Sequence, residues 1–125
     1  MAKGGTKVAV IDDDASVRKA LARLLSASSF DIVTYGSARE FIRSGASNDP
    51  PACLVLDLHM PDISGLDLQH HLRRAGICIP TVVITAYNEQ GLRERCQSAG
   101  ATAVLLKPLN HGALVDAINA AMSQV

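Results

Sequence analysis

Short apolar runs alternate with amphipathic stretches along this chain. Runs rich in Val, Ile and Leu at Lys7 to Ile11, Asp31 to Tyr35, Cys53 to Leu56, Thr81 to Thr85 and Ala103 to Leu106 predict five strands. Between them lie helical patterns. Val17, Ala20, Leu21, Leu24 and Leu25 recur at the spacing of one buried helix face, with Arg18, Lys19 and Arg23 on the other. Ser37 with Glu40, and Ser64 with Asp67, match the capping box, in which a hydroxyl and an acid satisfy free N–H groups at a helix start. Gly76 and Gly100 stand where a left-handed residue closes a helix, and Leu114, Val115 and Ile118 stripe the last one.

Five strand–helix units in succession imply an α/β fold. A parallel sheet with helices on both faces follows from right-handed crossovers. Its central strands are then buried on both sides, and Cys53-Leu54-Val55-Leu56 and Val82-Val83-Ile84 are unbroken apolar runs, as that burial demands. With 125 residues the chain suits a single domain, residues 1–125, and Gly45 to Pro51 reads as a loop rather than a boundary. Composition narrows the function classes. Hydrophobic residues make up 48% and charged ones 19%, the balance of a globular chain, and no apolar run is long enough to span a bilayer. Twelve basic residues cancel twelve acidic ones without any basic cluster interleaved with aromatics, which argues against direct nucleic-acid binding. Met1 to Thr6 has no apolar core of the secretory kind, so the cytoplasm is the expected compartment. Cys53, Cys78 and Cys96 lack metal-ligand spacing and read as buried small apolar residues.

Candidate chemistry collects at the carboxyl ends of the strands, where open α/β sheets place their ligand crevice. The first run ends in Asp12, Asp13 and Asp14, the third in Asp57, the fourth in Thr85 and the fifth in Lys107. Adjacent carboxylates oppose one another's ionisation. A hard divalent cation such as Mg2+ between Asp13 and Asp57 offsets that repulsion and leaves positions for phosphate oxygens. The Lys107 ammonium can neutralise a phosphoryl group, Thr85 can donate a hydrogen bond to it, and an Asp carboxylate can itself accept it. Asp14 reads as a helix N-cap. His70 and His71, adjacent on a helix, cannot share one face and read as surface residues; His111 has no visible partner.

These motifs carry a resemblance. Asp12-Asp13, Asp57 through Met60-Pro61 to Ser64-Gly65, Ile84-Thr85-Ala86 and Lys107-Pro108, in that order, are similar to the receiver domain of two-component response regulators over roughly Lys7 to Met122. Ser16 to Leu25 and Pro80 to Tyr87 most resemble the nitrogen-fixation-type (FixJ-like) regulators. The resemblance implies a doubly wound, flavodoxin-like sheet of strand order 2-1-3-4-5. It implies that Asp57 accepts a phosphoryl group from a sensor histidine kinase, making the domain a phosphorylation switch rather than an ordinary enzyme. Asp13, Asp57 and the His59 backbone carbonyl would bind Mg2+, with Asp12 acting through water; Lys107 and Thr85 would engage the phosphoryl group. It also implies a cis bond before Pro108, an output domain or partner reached through about Gln90 to Met122, and a homodimer on phosphorylation. Val104 stands where many receivers carry an aromatic, which puts their usual signal transmission in question. Tyr87 and His59 are expected to limit the access of water to an acyl phosphate. Two alternatives stay open. Asp12-Asp13-Asp14-Ala15-Ser16 passably mimics a haloacid-dehalogenase-like phosphatase with Asp12 as acceptor, although no acid pair follows Lys107; a docking module without phosphorylation is the other.

Overall fold

The computed structural model of the chain describes residues 6–45 and 49–123. The expectations placed on Met1 to Gly5 and on the middle of the Gly45 to Pro51 loop lie outside them. Strands β1 (Thr6–Ile11), β2 (Phe30–Tyr35), β3 (Cys53–Asp57), β4 (Thr81–Thr85) and β5 (Ala101–Leu106) alternate with helices α1 (Ala15–Ser26), α2 (Ala38–Arg43), α3 (Gly65–Arg74), α4 (Leu92–Ser98) and α5 (His111–Ser123). All strand pairs are parallel, in the order β2-β1-β3-β4-β5. This is the flavodoxin-like order that the motifs imply.

Alternation along β1 shows why its run is unbroken. Val8 and Val10 join Val55, Val82 and Ile84 on one face, against Leu21 and Leu25 of α1 and Leu114 and Ile118 of α5. Ala9 and Ile11 join Leu54 and Leu56 on the other, against Phe41 of α2 and Leu68 and Leu72 of α3. Farther along that face, Val83 and Val104 pack with Leu92 and Cys96 of α4. Every residue of β3 and β4 is buried. Each fully buried Leu, Ile or Val contributes about 1.5–3 kcal/mol through removal from water, so these two faces supply the main driving force.

Local signals match in most places. Asp14 caps α1, accepting from the Ser16 and Val17 N–H groups, and Ser64 with Asp67 forms the full capping box. Gly76 and Gly100 have φ of +75° and +110° just beyond α3 and α4. The Lys107–Pro108 bond is cis. Three expectations need correction. Cys78 is exposed in the loop before β4, whereas Cys53 and Cys96 are buried as expected. Ser37 caps α2, but Glu40 reaches back to the Gly36 N–H instead of that of Ser37, so the box is displaced by one residue. His111 does have a partner, Ser28 in the turn after α1, 3.1 Å away. Strand β5 also begins earlier than its apolar run: the register slips between Thr81 and Val82, and the Thr102 hydroxyl donates to the Thr81 carbonyl.

Candidate functional site

The carboxyl ends of β1, β3, β4 and β5 bring the predicted residues to one rim. Strand β1 turns into α1 through Asp12, Asp13 and Asp14. Asp12 is fully buried, and each of its oxygens is already engaged: Oδ1 accepts from the Asp14 N–H at 3.0 Å and Oδ2 from Lys107 Nζ at 3.1 Å. Its backbone carbonyl accepts from Arg18 at 2.7 Å, so a residue assigned to the solvent face of α1 instead braces the loop. Asp13 is exposed. One carboxylate oxygen from each of Asp12, Asp13 and Asp57 lies within 4.8 Å of the others.

Asp57 ends the central strand and is 4% exposed. Gly65, the first residue of α3, explains how the following loop folds back so closely. A Cβ there would stand 2.5 Å from the Asp57 carbonyl oxygen, and the Gly65 N–H donates to the Leu58 carbonyl at 2.9 Å. Burial, followed by the Asp12 charge, pushes the Asp57 carboxyl up from 3.8 to about 7; Lys107 and the His59 N–H oppose the rise, and Asp13 adds to it. Lys107 Nζ is 3.7 Å from Asp57 Oδ1. Burial works to lower the Lys107 pKa, but the bond to Asp12 and the fields of Asp57, Asp12 and Asp13 outweigh it and raise it. The ammonium is therefore fixed in its charged form between two acids.

Thr85 is fully buried and makes no hydrogen bond to the carboxylates. Its hydroxyl lies 3.2 Å from His59 Nδ1 and accepts the Tyr87 N–H at 3.1 Å. His59 Nε2 is in turn 3.4 Å from Glu89 Oε1, and Glu89 Oε2 is 3.7 Å from Arg95 on α4. The Tyr87 ring packs edge-on against the His59 ring at 4.5 Å. His59 was expected to offer its backbone carbonyl to a metal and, with Tyr87, to limit the access of water; the contact of its imidazole with Thr85, and the involvement of Glu89 and Arg95, had no signal in the spacing. His70 and His71 are exposed. Val104 is buried.

The acid cluster fits a hard cation: three oxygen ligands converge, and burial of two of them makes an uncompensated cluster unfavourable. An ammonium beside it and a threonine hydroxyl one strand away complete a rim suited to an anion held near a metal. A match over residues 8–119 to the response regulator receiver domain agrees with this rim, and the chain belongs to that family. It is a receiver domain of the two-component response regulators, a family of signalling switches that are phosphorylated by histidine kinases and bind Mg2+ at an acidic pocket.

Among its relatives, nodulation protein W of Bradyrhizobium diazoefficiens is 40% identical over 114 residues, covering 91% of this chain and 50% of that protein. The transcriptional regulatory protein FixJ of Azorhizobium caulinodans is 35% identical over 117 residues, 94% of this chain and 55% of that one. The crystal structure of FixJ-N superposes with a TM-score of 0.89 at 32% identity, covering 100% of this chain and 98% of that one. The FixJ-like resemblance holds, and the chain spans about half the length of the curated relatives it matches. Among the described residues, no helix is long and apolar enough to cross a membrane.

Proposed function

We propose that Asp57 is the phosphoryl acceptor of this domain and that its phosphorylation switches a surface controlling transcription through an output domain or partner outside this chain. The observation that carries this reading is the Lys107 ammonium held between Asp12 and Asp57, at 3.1 and 3.7 Å. A buried carboxylate at a strand end gains such a counter-charge where further negative charge must be accommodated. In the reaction an Asp57 oxygen attacks phosphorus, the O–P bond forms as the kinase's histidine N–P bond breaks, and the imidazole nitrogen leaves with that electron pair. Asp57 reacts as its carboxylate. Lys107 neutralises charge on the phosphoryl oxygens, and Thr85 donates its hydroxyl proton to one of them. Positioning and electrostatics account for most of the catalysis of such a transfer.

Asp13, Asp57 and the His59 backbone carbonyl would hold Mg2+, with Asp12 acting through water because both of its oxygens already have donors. Bound there, the cation supplies charge neutralisation for the transferred group. The same residues promote the domain's own phosphotransfer and, with water as nucleophile, its dephosphorylation. The output surface comprises α4, β5 and α5, about Gln90 to Met122, where Leu106 is an exposed large apolar residue. Phosphorylation of Asp57 promotes a homodimer through this surface, and the domain acts in the cytoplasm without contacting nucleic acid or membrane itself.

Intact mass after incubation with acetyl phosphate and Mg2+ tests the acceptor. One added phosphoryl group in the native chain and none in Asp57→Asn is expected. A gain that survives Asp57→Asn but is lost in Asp12→Asn would instead assign the chemistry to Asp12, and no gain in the native chain would leave a docking module. Light scattering with and without beryllofluoride, a phosphoryl mimic, tests the dimer; an unchanged mass counts against it.

A further inference from the structure

Thr85 sits between two partners. A backbone N–H can only donate, so the Tyr87 N–H occupies Thr85 Oγ1 as an acceptor and leaves the hydroxyl proton free to be given. Glu89 Oε1 stands 3.4 Å from His59 Nε2, an ion-pair contact that favours the ring proton on that nitrogen. In that tautomer Nδ1 is bare and accepts from the Thr85 hydroxyl at 3.2 Å. Hydrogen bonds thus link the Tyr87 N–H, Thr85 and His59, and ion-pair contacts continue from His59 to Glu89 and to Arg95 on α4.

Thr85 has one hydroxyl proton. It cannot be given to His59 Nδ1 and to a phosphoryl oxygen at the same time. We infer that the His59 side chain is a positioning residue that holds Thr85 in its resting orientation and ties that orientation to α4 through Glu89 and Arg95. Engagement of Thr85 by a phosphoryl group removes the donor from His59 and with it one anchor of the segment leading into α4. This inference rests on Asp57 being the acceptor.

The geometry gives the coupling a place to act. Tyr87 is 55% exposed and is packed on the ring of His59, so release of His59 also releases Tyr87. Behind Thr85 lies a small cleft of about 30 Å3 bordered by Glu89, Leu92, Val104 and Leu106. With Val104 there in place of a large aromatic, movement of this loop is carried by groups on the β4–α4 connection itself. The links beyond His59 are exposed ion pairs and contribute little stability individually. The strong element is the competition for the buried hydroxyl.

The test uses beryllofluoride binding in the presence of Mg2+, followed by the backbone amide resonances of residues 87–98. His59→Ala removes the competing acceptor but keeps the backbone carbonyl. It is expected to bind beryllofluoride about fivefold more tightly than the native chain, the worth of one neutral hydrogen bond. Without beryllofluoride, its α4 amides should already lie part of the way toward their bound positions. His59→Asn, whose side-chain oxygen can accept the Thr85 proton, should restore both properties toward native, which a merely structural loss would not. Glu89→Gln, whose amide oxygen still accepts from Nε2, should leave the affinity within twofold of native. Native affinity in His59→Ala, or no rescue by His59→Asn, overturns the inference while leaving the acceptor assignment intact. Equal beryllofluoride binding by the native chain and Asp57→Asn overturns both.

Discussion

Replacing Asp57 with Asn should make the metal-free domain more stable. The native carboxyl is pushed from 3.8 to about 7 by burial and by Asp12. A raised carboxyl pKa means that the folded state holds its proton more tightly than the unfolded chain does. Stability is therefore full below the unfolded value and falls as pH rises through the folded value. A shift of about 3 units corresponds to about 4 kcal/mol once both states are ionised. Asn escapes that penalty, from which the attraction of Lys107 is already subtracted, so a gain of about 4 kcal/mol at pH 8 is expected. For a chain of this length, that raises the melting temperature by about 15 °C. Thermal melts followed by circular dichroism, in EDTA at pH 8 and pH 5, measure it. At pH 5 the native carboxyl is mostly protonated and less than half of the penalty remains, so the gap between the two proteins should narrow. Added Mg2+ at pH 8 should raise the native melting temperature and affect Asp57→Asn much less. An Asn variant that melts at or below native at pH 8, or whose advantage is equal at both pH values, would refute the electrostatic reasoning.

Three further outcomes follow from the geometry. Lys107→Met leaves buried Asp12 without its ammonium and should cost about 1–3 kcal/mol in urea unfolding near neutral pH, together with loss of acetyl phosphate labelling; an undiminished midpoint would contradict the bridge. Gly65→Ala drives a methyl into the Asp57 carbonyl, 2.5 Å away, and should cost about 1–3 kcal/mol while weakening Mg2+ binding, read by calorimetry. Tyr87→Ala opens one side of the rim and should shorten the acyl-phosphate lifetime, so an unchanged decay rate removes Tyr87 from that role.

The sheet was legible because burial on both faces is written directly into β1, β3 and β4 as unbroken apolar runs, which end where their acids or hydroxyl begin. The same logic located Asp12, Asp13, Asp57, Thr85 and Lys107 at one rim, since parallel strands place all their carboxyl ends together. Their division of labour was harder to read. That Asp12 is buried with both oxygens engaged, while its neighbour Asp13 is exposed, depends on how the loop turns into α1 and on Arg18 folding back to it. His59 presents the same difficulty: its contact with Thr85, 26 positions away, arises from strand pairing and has no local pattern. The early start of β5 was hidden because the register slip lets Ala101 pair with Thr81 before the apolar run begins. Cys78 was misplaced inside because a single small residue in a short loop carries no periodicity.

The bond between Lys107 and Asp12 joins positions 95 apart, across four of the five strands, from β1 to β5. During synthesis of this domain Asp12 emerges ahead of the other strands and its counter-charge only after the fifth. A nascent chain still short of β5 has Asp57 but neither the ammonium nor the edge strand on which it is mounted. Under the proposed assignment of Asp57, competence to be phosphorylated arrives only with the finished fold, and a copy lacking β5 and Lys107 should take no label from acetyl phosphate.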